Sequence, residues 1–151
     1  MAKKRIYLAS DHSGFKLKKT LKAFLSTQNC SVIDLGPYQY KQKDDYPDYA
    51  LLLCNEVLKT QSKGILICGS GLGMSRAANK IPGIYANVCW SQKSARLARA
   101  HGNTNVLCLG EQMITRKQAK IITRVWLATR LSQAQRHKRR INKIKKIERE
   151  V

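Results

Sequence analysis

Short apolar runs rich in branched residues alternate along this chain with longer segments of helical periodicity, and this alternation restricts the fold more than any other feature. Such runs predict strands at residues 6–9, 31–36, 64–68, 84–89 and 105–109. Helical patterns fill the gaps at residues 15–25, 71–80, 91–101 and 115–131, and Pro47 stands where a further helix could begin. Repeated strand–helix order is typical of a parallel sheet with helices on both faces. We therefore predict a doubly wound α/β fold with a five-stranded parallel sheet.

The chain has the size of one domain. With 151 residues, it is long enough to close a sizeable hydrophobic core. It contains no linker, repeat or low-complexity block, so residues 1–151 are expected to form a single Rossmann-like, three-layer αβα sandwich. The composition changes only near the end, where residues 116–151 hold 13 Lys plus Arg against two Glu. Residues 133–151 are predicted to form a basic C-terminal helical extension.

The predicted C-terminal helix carries one apolar stripe on a basic surface. Ile141, Ile144, Ile147 and Val151 recur at spacings of three, three and four residues. An apolar stripe on a helix needs a covering surface. Its own domain, a partner subunit and a membrane surface are the three candidates.

Basic residues dominate the charge of the chain. Lys plus Arg number 29 and Asp plus Glu number 9, which gives a formal net charge of +20. A charge of this size first suggests nucleic acid as the partner. The basic segments have almost no interleaved aromatic residues, however, and Trp126 stands alone among them. We therefore rank nucleic-acid binding well behind recognition of a small anion.

Cysteine usage and hydropathy indicate the compartment. The five cysteines, at positions 30, 54, 68, 89 and 108, include no CxxC pair. An odd count without framework spacing argues against a disulfide scaffold and favours a reduced cytoplasm. No apolar run approaches the roughly 18 residues of a membrane span. The basic start is followed by a short strand-like run and Asp11, so we expect no signal peptide.

Polar or small residues flank three of the predicted strands. Ser10-Asp11-His12 follows the first strand, Cys68 to Gly73 follows the third, and His101-Gly102-Asn103 precedes the fifth. Ligands of open parallel sheets bind beyond the carboxyl ends of the strands, so these segments are the candidate site. The turn Gly69-Ser70-Gly71-Leu72-Gly73 opens a predicted helix, and its backbone N–H groups suit a phosphate or a transient oxyanion.

The residues alone leave alternatives open for this site. The glycines also suit plain strand–helix packing, and the turn matches neither the dinucleotide fingerprint nor the P-loop. Cys68 suits a base or a nucleophile, whereas lone cysteines that end a buried strand are more often inert. His12 and His101 suit proton transfer near neutral pH, or merely a bond to a backbone carbonyl. No His or Cys spacing predicts a metal site.

Taken together, these segments resemble the type B ribose-5-phosphate isomerases and their sugar-phosphate isomerase relatives. The similar stretches follow one another over nearly the whole chain, at residues 9–15, 34–36, 45–50, 64–75, 77–80, 94–98, 101 and 105–107. The resemblance implies that D-ribose 5-phosphate and D-ribulose 5-phosphate are interconverted through a cis-enediolate, in the non-oxidative pentose phosphate pathway, without metal or organic cofactor. It also implies a homodimer or tetramer whose active sites are shared between subunits.

The resemblance also implies a role for each candidate residue. Cys68 is the base that moves a proton between C2 and C1, and His101 is the acid that opens the sugar ring. Ser70 and the backbone of the glycine turn hold the developing negative charge. The implied substrate-binding residues are Asp11, His12, Tyr46, Gly69, Gly71, Leu72, Gly73, Gly102, Arg136, His137 and Arg140.

The resemblance implies that residues of the C-terminal helix bind the phosphate group. Arg136 and Arg140 lie four residues apart on one helix face, with His137 between them. That helix is then expected to pack on a partner subunit. Gly102 and Gln112 stand where the family usually has Asn and Arg, which leaves a six-carbon sugar phosphate of the allose or galactose 6-phosphate type as the alternative substrate. Cys68 favours the pentose, because the galactose-6-phosphate subunits generally lack this cysteine.

Overall fold

A computed structural model describes residues 2–151, so Met1 of the predicted domain lies outside the described residues. In this range the strands are β1 (Lys4–Ser10), β2 (Cys30–Asp34), β3 (Lys63–Cys68), β4 (Ala86–Val88) and β5 (Val106–Gly110). The α-helices are α1 (Phe15–Ser26), α2 (Tyr46–Thr60), α3 (Leu72–Ala78), α4 (Gln92–Gly102), α5 (Arg116–Ala128) and α6 (Gln135–Glu150). The strands are parallel and lie in the order β2-β1-β3-β5-β4. The predicted fold class is confirmed.

Alternate strand residues face two separate apolar layers, as the pleat of a sheet requires. Ile6 and Leu8 of β1 pack in the layer formed with α1, α4 and α5, whereas Tyr7 and Ala9 pack in the layer formed with α2 and α3. The central strand β3 is buried on both faces, as its continuous apolar sequence predicts. Because helices cover both faces of the sheet, a polar ligand approaches it only at the strand ends.

Local capping explains where two of the helices begin. Ser91 and Ser94 form a reciprocal capping box at the start of α4, and Thr115 and Gln118 form another at the start of α5. Pro47 lies in the first turn of α2, where its missing N–H costs no helical hydrogen bond. These starts lie within one or two residues of the predicted ones because the capping signals are local in sequence.

The segment between α3 and α4 differs from the predicted one. Helix α3 ends at Ala78 instead of continuing to residue 80, and β4 is shorter than the predicted 84–89. The side chain of Asn79 explains both differences. Its amide accepts from the N–H of Ala86 and donates to the C=O of Ala86, each at 2.8 Å. The chain therefore leaves the helix at Asn79 and joins the sheet only at Ala86.

The C-terminal helix α6 lies against α4 of its own chain. Ile141 of the predicted apolar stripe is buried there, whereas Ile144 and Ile147 keep 52% and 60% of their surface exposed. The protein's own domain thus covers the first part of the stripe and leaves the rest open.

One carboxylate fastens the far end of α6 to the domain. Glu148 accepts the backbone N–H of Gly83 at 3.1 Å through Oε1, and the hydroxyl of Tyr85 donates to Oε2 at 3.4 Å. Burial first, and then the nearby Glu148 carboxylate, raises the pKa of Tyr85. Over the described range, no helix of the protein has both the length and the apolar character that crossing a membrane requires.

Candidate active site

Many of the predicted site residues lie together at the carboxyl edge of the sheet. Asp11 follows β1, and its backbone N–H donates to the C=O of Ile67 in β3 at 3.2 Å. Tyr46 begins α2, and its ring lies so close to the glycine turn that a Cβ on Gly73 would be 2.6 Å from it. Three segments that are distant in sequence therefore line one site.

Cys68 ends β3 with its thiol at the glycine turn. The residue is 5% exposed, and the backbone N–H of Gly71 donates to its Sγ at 3.1 Å. Gly71 has a φ of +79°, a left-handed conformation that an L side chain would strain. The sulfur of Cys68 therefore lies at the start of the glycine turn, with a backbone donor aimed at it.

The other four cysteines are free and buried, but their surroundings favour the protonated thiol. Burial raises the pKa of Cys54 to about 12 and that of Cys89 to about 11. Burial also raises the pKa of Cys30 and of Cys108. These four thiols remain protonated at neutral pH, which agrees with their interpretation as apolar packing.

Ser70 and Gln112 frame the turn on either side. The Leu72 N–H at the start of α3 donates to Oγ of Ser70 at 3.2 Å. The backbone N–H of Gln112 donates to the C=O of Gly69 at 3.0 Å, and its side chain lies beside the same glycine. Gln112 therefore places a neutral amide next to the turn, at a position where the family usually has arginine.

His12 is held by a residue that the sequence analysis missed, Asp44 in the loop before α2. One oxygen of Asp44, Oδ1, lies 2.7 Å from Nδ1 of His12 and accepts its backbone N–H at 3.0 Å. The hydrogen bond to Asp44 raises the pKa of His12. Burial raises the pKa of Asp11, although its Oδ1 accepts the N–H of Gly14. The only signal for Asp44 was its place in the acidic pair before Tyr46.

Asp11, His12 and Asp44 are also the residues that could hold a metal ion in the part of the chain described by the structure. Their potential ligand atoms lie within 4.8 Å of one another. Sequence spacing gives no hint of this group, because Asp44 lies 32 residues from His12. Oxygen and nitrogen atoms in this arrangement also suit the hydroxyl groups of a sugar.

His101 lies at the opposite, amino-terminal edge of the sheet. It belongs to the last turn of α4, ahead of β5, whereas Cys68 pairs in register with Gly110 at the far end of β5. The strand steps from Val106 to Gly110 separate the two edges by roughly 13 Å. His101 and Cys68 therefore do not meet within one chain, and the three polar segments of the sequence do not share one edge.

The remaining predicted residues gather around His101. The rings of His101 and His137 are stacked, with centroids 3.9 Å apart and planes inclined by 12°. His137 is buried, whereas His101, Arg136 and Arg140 are exposed. Gly102, next to His101, ends helix α4. An exposed imidazole beside two guanidinium groups has the chemistry to bind a phosphorylated ligand.

The fold and its two edges define a class of protein, a parallel α/β protein with a thiol at the strand-end site and a cationic cluster suited to phosphate. A family model described as Ribose/Galactose Isomerase matches residues 6–144. Over 148 residues, the chain is 44% identical to the probable ribose-5-phosphate isomerase B of Mycoplasma genitalium, covering 97% of each. The chain therefore belongs to the ribose/galactose isomerase family, which confirms the resemblance seen in the sequence.

Solved structures of similar proteins share the fold along nearly the whole chain. The ribose-5-phosphate isomerase B of Clostridium thermocellum gives a TM-score of 0.93 at 39% identity, covering 97% of this chain and 98% of that one. The Mycoplasma genitalium enzyme with bound ribulose-5-phosphate gives a TM-score of 0.93 at 43% identity, covering 97% of both chains.

Proposed function

We propose that this chain is an aldose–ketose isomerase that interconverts D-ribose 5-phosphate and D-ribulose 5-phosphate. The placement of Cys68 Sγ at the glycine turn, 3.1 Å from the Gly71 N–H, carries the proposal, because it puts a candidate base at the ligand-binding edge of the sheet. The names of the relatives support this reaction, and the ribulose-5-phosphate bound to one of them favours the pentose over the six-carbon alternative.

The isomerisation moves protons between neighbouring atoms and shifts the carbonyl double bond from C1 to C2, with no net oxidation or reduction of the sugar. The Cys68 thiolate takes the proton from C2 of the open aldose, which leaves a cis-enediolate, and returns that proton to C1. O1 gains a proton and O2 loses one, so the protons balance. The Ser70 hydroxyl and the backbone donors from Gly69 to Gly73 stabilise the charge on the enediolate oxygens.

The other predicted residues bind the substrate and open its ring. Asp11 and His12 bind sugar hydroxyls, with Asp44 fixing the His12 ring, and Tyr46 lines the pocket. His101 donates a proton to the ring oxygen as the C1 bond to that oxygen breaks, and the C1 hydroxyl gives its proton to water and becomes the aldehyde, which opens the furanose form. Two exposed guanidinium groups, on Arg136 and Arg140, hold the phosphate.

The separation of Cys68 and His101 supports a site completed by a second copy of the chain. Arg136 and Arg140 lie near His137, whose ring stacks on His101, so both arginines belong to the His101 side of the molecule. The carboxylates of Asp11 and Asp44 lie beside each other at the thiol edge. These two groups complement in charge the guanidinium groups on helix α6 of another copy.

Apolar side chains at the thiol edge support the same arrangement. Leu72, Trp90 and Met113 each follow a strand end and keep 66%, 64% and 65% of their surface exposed. A second copy that brings its α6 to this edge would cover them. We therefore propose a homodimer, or a tetramer built from dimers, in which residues 1–151 of each chain act as one domain. The five free thiols support a cytoplasmic location.

The test is formation of ribulose 5-phosphate from ribose 5-phosphate by the purified chain. Loss of a general base in Cys68→Ala is expected to lower kcat by about 100- to 10,000-fold. Cys54→Ala is the matched control, because it removes a thiol that burial keeps protonated, and it should remain active. Full activity of Cys68→Ala with an unchanged melting curve would overturn the assignment. Faster turnover of allose 6-phosphate than of ribose 5-phosphate would restore the six-carbon alternative.

A further inference from the structure

The stacked contact between His101 and His137 has no role in the proton transfers of the proposed reaction. His101 is exposed, whereas His137 beneath it is 5% exposed. The Nε2 atom of His137 is buried and has no hydrogen-bond partner among the described residues. A buried nitrogen that solvent does not reach is also out of reach of a phosphate oxygen, so phosphate binding through Nε2 does not explain the place of this ring.

We propose that His137 is a positioning residue: its ring face stabilises the protonated form of His101, and it does not bind the phosphate. The inference rests on the proposed function, in which His101 opens the sugar ring as an acid. An acid must carry its proton before it acts, and an aromatic face against a cation favours the charged form. The parallel stack at 3.9 Å provides that face.

The surroundings determine which of the two rings takes the proton. Arg136 and Arg140 flank His137 on α6, and His101 faces it from α4. Burial first, and then these positive groups, lowers the pKa of His137, so this ring is neutral at pH 7. Two charged rings in a stack would repel each other. A neutral His137 ring therefore lies beneath the exposed ring of His101.

The pH dependence of kcat in two variants tests the proposal. His137→Phe keeps a flat aromatic face, whereas His137→Leu removes it and keeps an apolar side chain in the same space. We expect His137→Phe to retain the wild-type profile. In His137→Leu the alkaline fall of kcat should move to lower pH by about half to one unit, because the protonated acid loses its stabilising face. KM should stay unchanged in both variants.

Two other roles for His137 give different results, and either would overturn the proposal. If the ring binds phosphate, KM rises in His137→Leu and also in His137→Phe, because phenylalanine cannot bind the phosphate either. If the ring serves packing alone, the pH profile moves in neither variant. His137→Gln, which is polar and not aromatic, replaces the leucine variant in the comparison if the latter does not fold.

An NMR titration of the His101 ring gives a readout that needs no turnover. Its signal is identified by its loss in His101→Asn. We expect the titration midpoint to fall in His137→Leu and to be kept in His137→Phe. Equal midpoints in the wild type and both variants would refute the inference. Absence of ribose 5-phosphate turnover in the wild type would refute the proposed function instead, and the titration would still decide the role of the stack.

Discussion

One carboxylate oxygen of Asp44, Oδ1, makes two contacts with His12: it lies 2.7 Å from the ring atom Nδ1, and it accepts the backbone N–H of His12 at 3.0 Å. The side chain of Asp44 is 7% exposed and that of His12 is 32% exposed, so a buried acid holds a ring at the mouth of the site. Because this hydrogen bond raises the pKa of His12, it is strongest when the imidazole is charged.

Asp44→Asn should reduce stability in a pH-dependent way. The pKa of His12 is higher in the folded chain than its unfolded value of about 6.5. The contact between His12 and Asp44 therefore stabilises the fold fully below about pH 6.5, and this stabilisation is lost as the pH rises through the folded-state pKa. We expect the melting temperatures of wild type and Asp44→Asn to differ more at about pH 5.5 than at about pH 9. In a His12→Gln background the same substitution should show no such dependence. An equal difference at both pH values would contradict the role given to the His12 charge.

Gly71→Ala should damage both the fold and the chemistry. The left-handed φ of +79° and the Leu109 backbone carbon 3.1 Å from a new Cβ oppose the substitution. We expect a loss of about 1–2 kcal/mol in the free energy of unfolding. A lower kcat should accompany it, because the N–H moves away from Sγ of Cys68. Gly102→Ala is the control, since a Cβ there meets nothing nearer than 3.8 Å and should change stability by less than about 1 kcal/mol.

Glu148→Ala should loosen the end of α6. The change removes the acceptor for Gly83 N–H and Tyr85 hydroxyl, and we expect a loss of about 1–2 kcal/mol in urea unfolding. KM for ribose 5-phosphate should rise, because the same helix carries the phosphate-binding arginines. Glu150→Ala is the control on this helix. Its ion pair with Lys146, at 3.8 Å, is exposed and should contribute less than about 0.5 kcal/mol.

Mixing two inactive variants should restore activity if the sites are shared. Cys68→Ala and His101→Asn each damage both sites of a homodimer. In a mixed dimer, one site receives both intact groups and the other receives neither. Random reassembly of equal amounts, after unfolding and refolding together, should give about a quarter of wild-type activity. No recovery, with mixed dimers demonstrated by differential tagging, would show that each site is built from one chain.

The parts of the fold that depend on local signals were predictable. The apolar run from Gly64 to Cys68 identifies β3, and Ser91 marks the start of α4 within one residue. The region after α3 was not predictable in this way. The bonds of Asn79 to the backbone of Ala86 stop the helix and shorten β4, and a helical periodicity carries no information about them.

The candidate site also has a part that local sequence signals predict and a part that they do not. The thiol, the glycine turn and the polar residues after β1 stand at strand ends, so the topology alone brings them to one edge. Asp44 lies in a polar loop without periodicity, and only the folded chain brings it to His12. His137 stands in a run of Lys and Arg that is typical of a solvated surface, yet it is buried beneath His101.

The placement of Cys68 and His101 at opposite edges affects how activity depends on the amount of protein. Under the proposed shared site, a single folded chain contains every reacting group and still lacks a complete site. Specific activity should therefore fall when the protein is diluted below the dissociation constant of the dimer, with no loss of helical content. In that range the rate should grow with the square of the protein concentration, because association creates the catalyst.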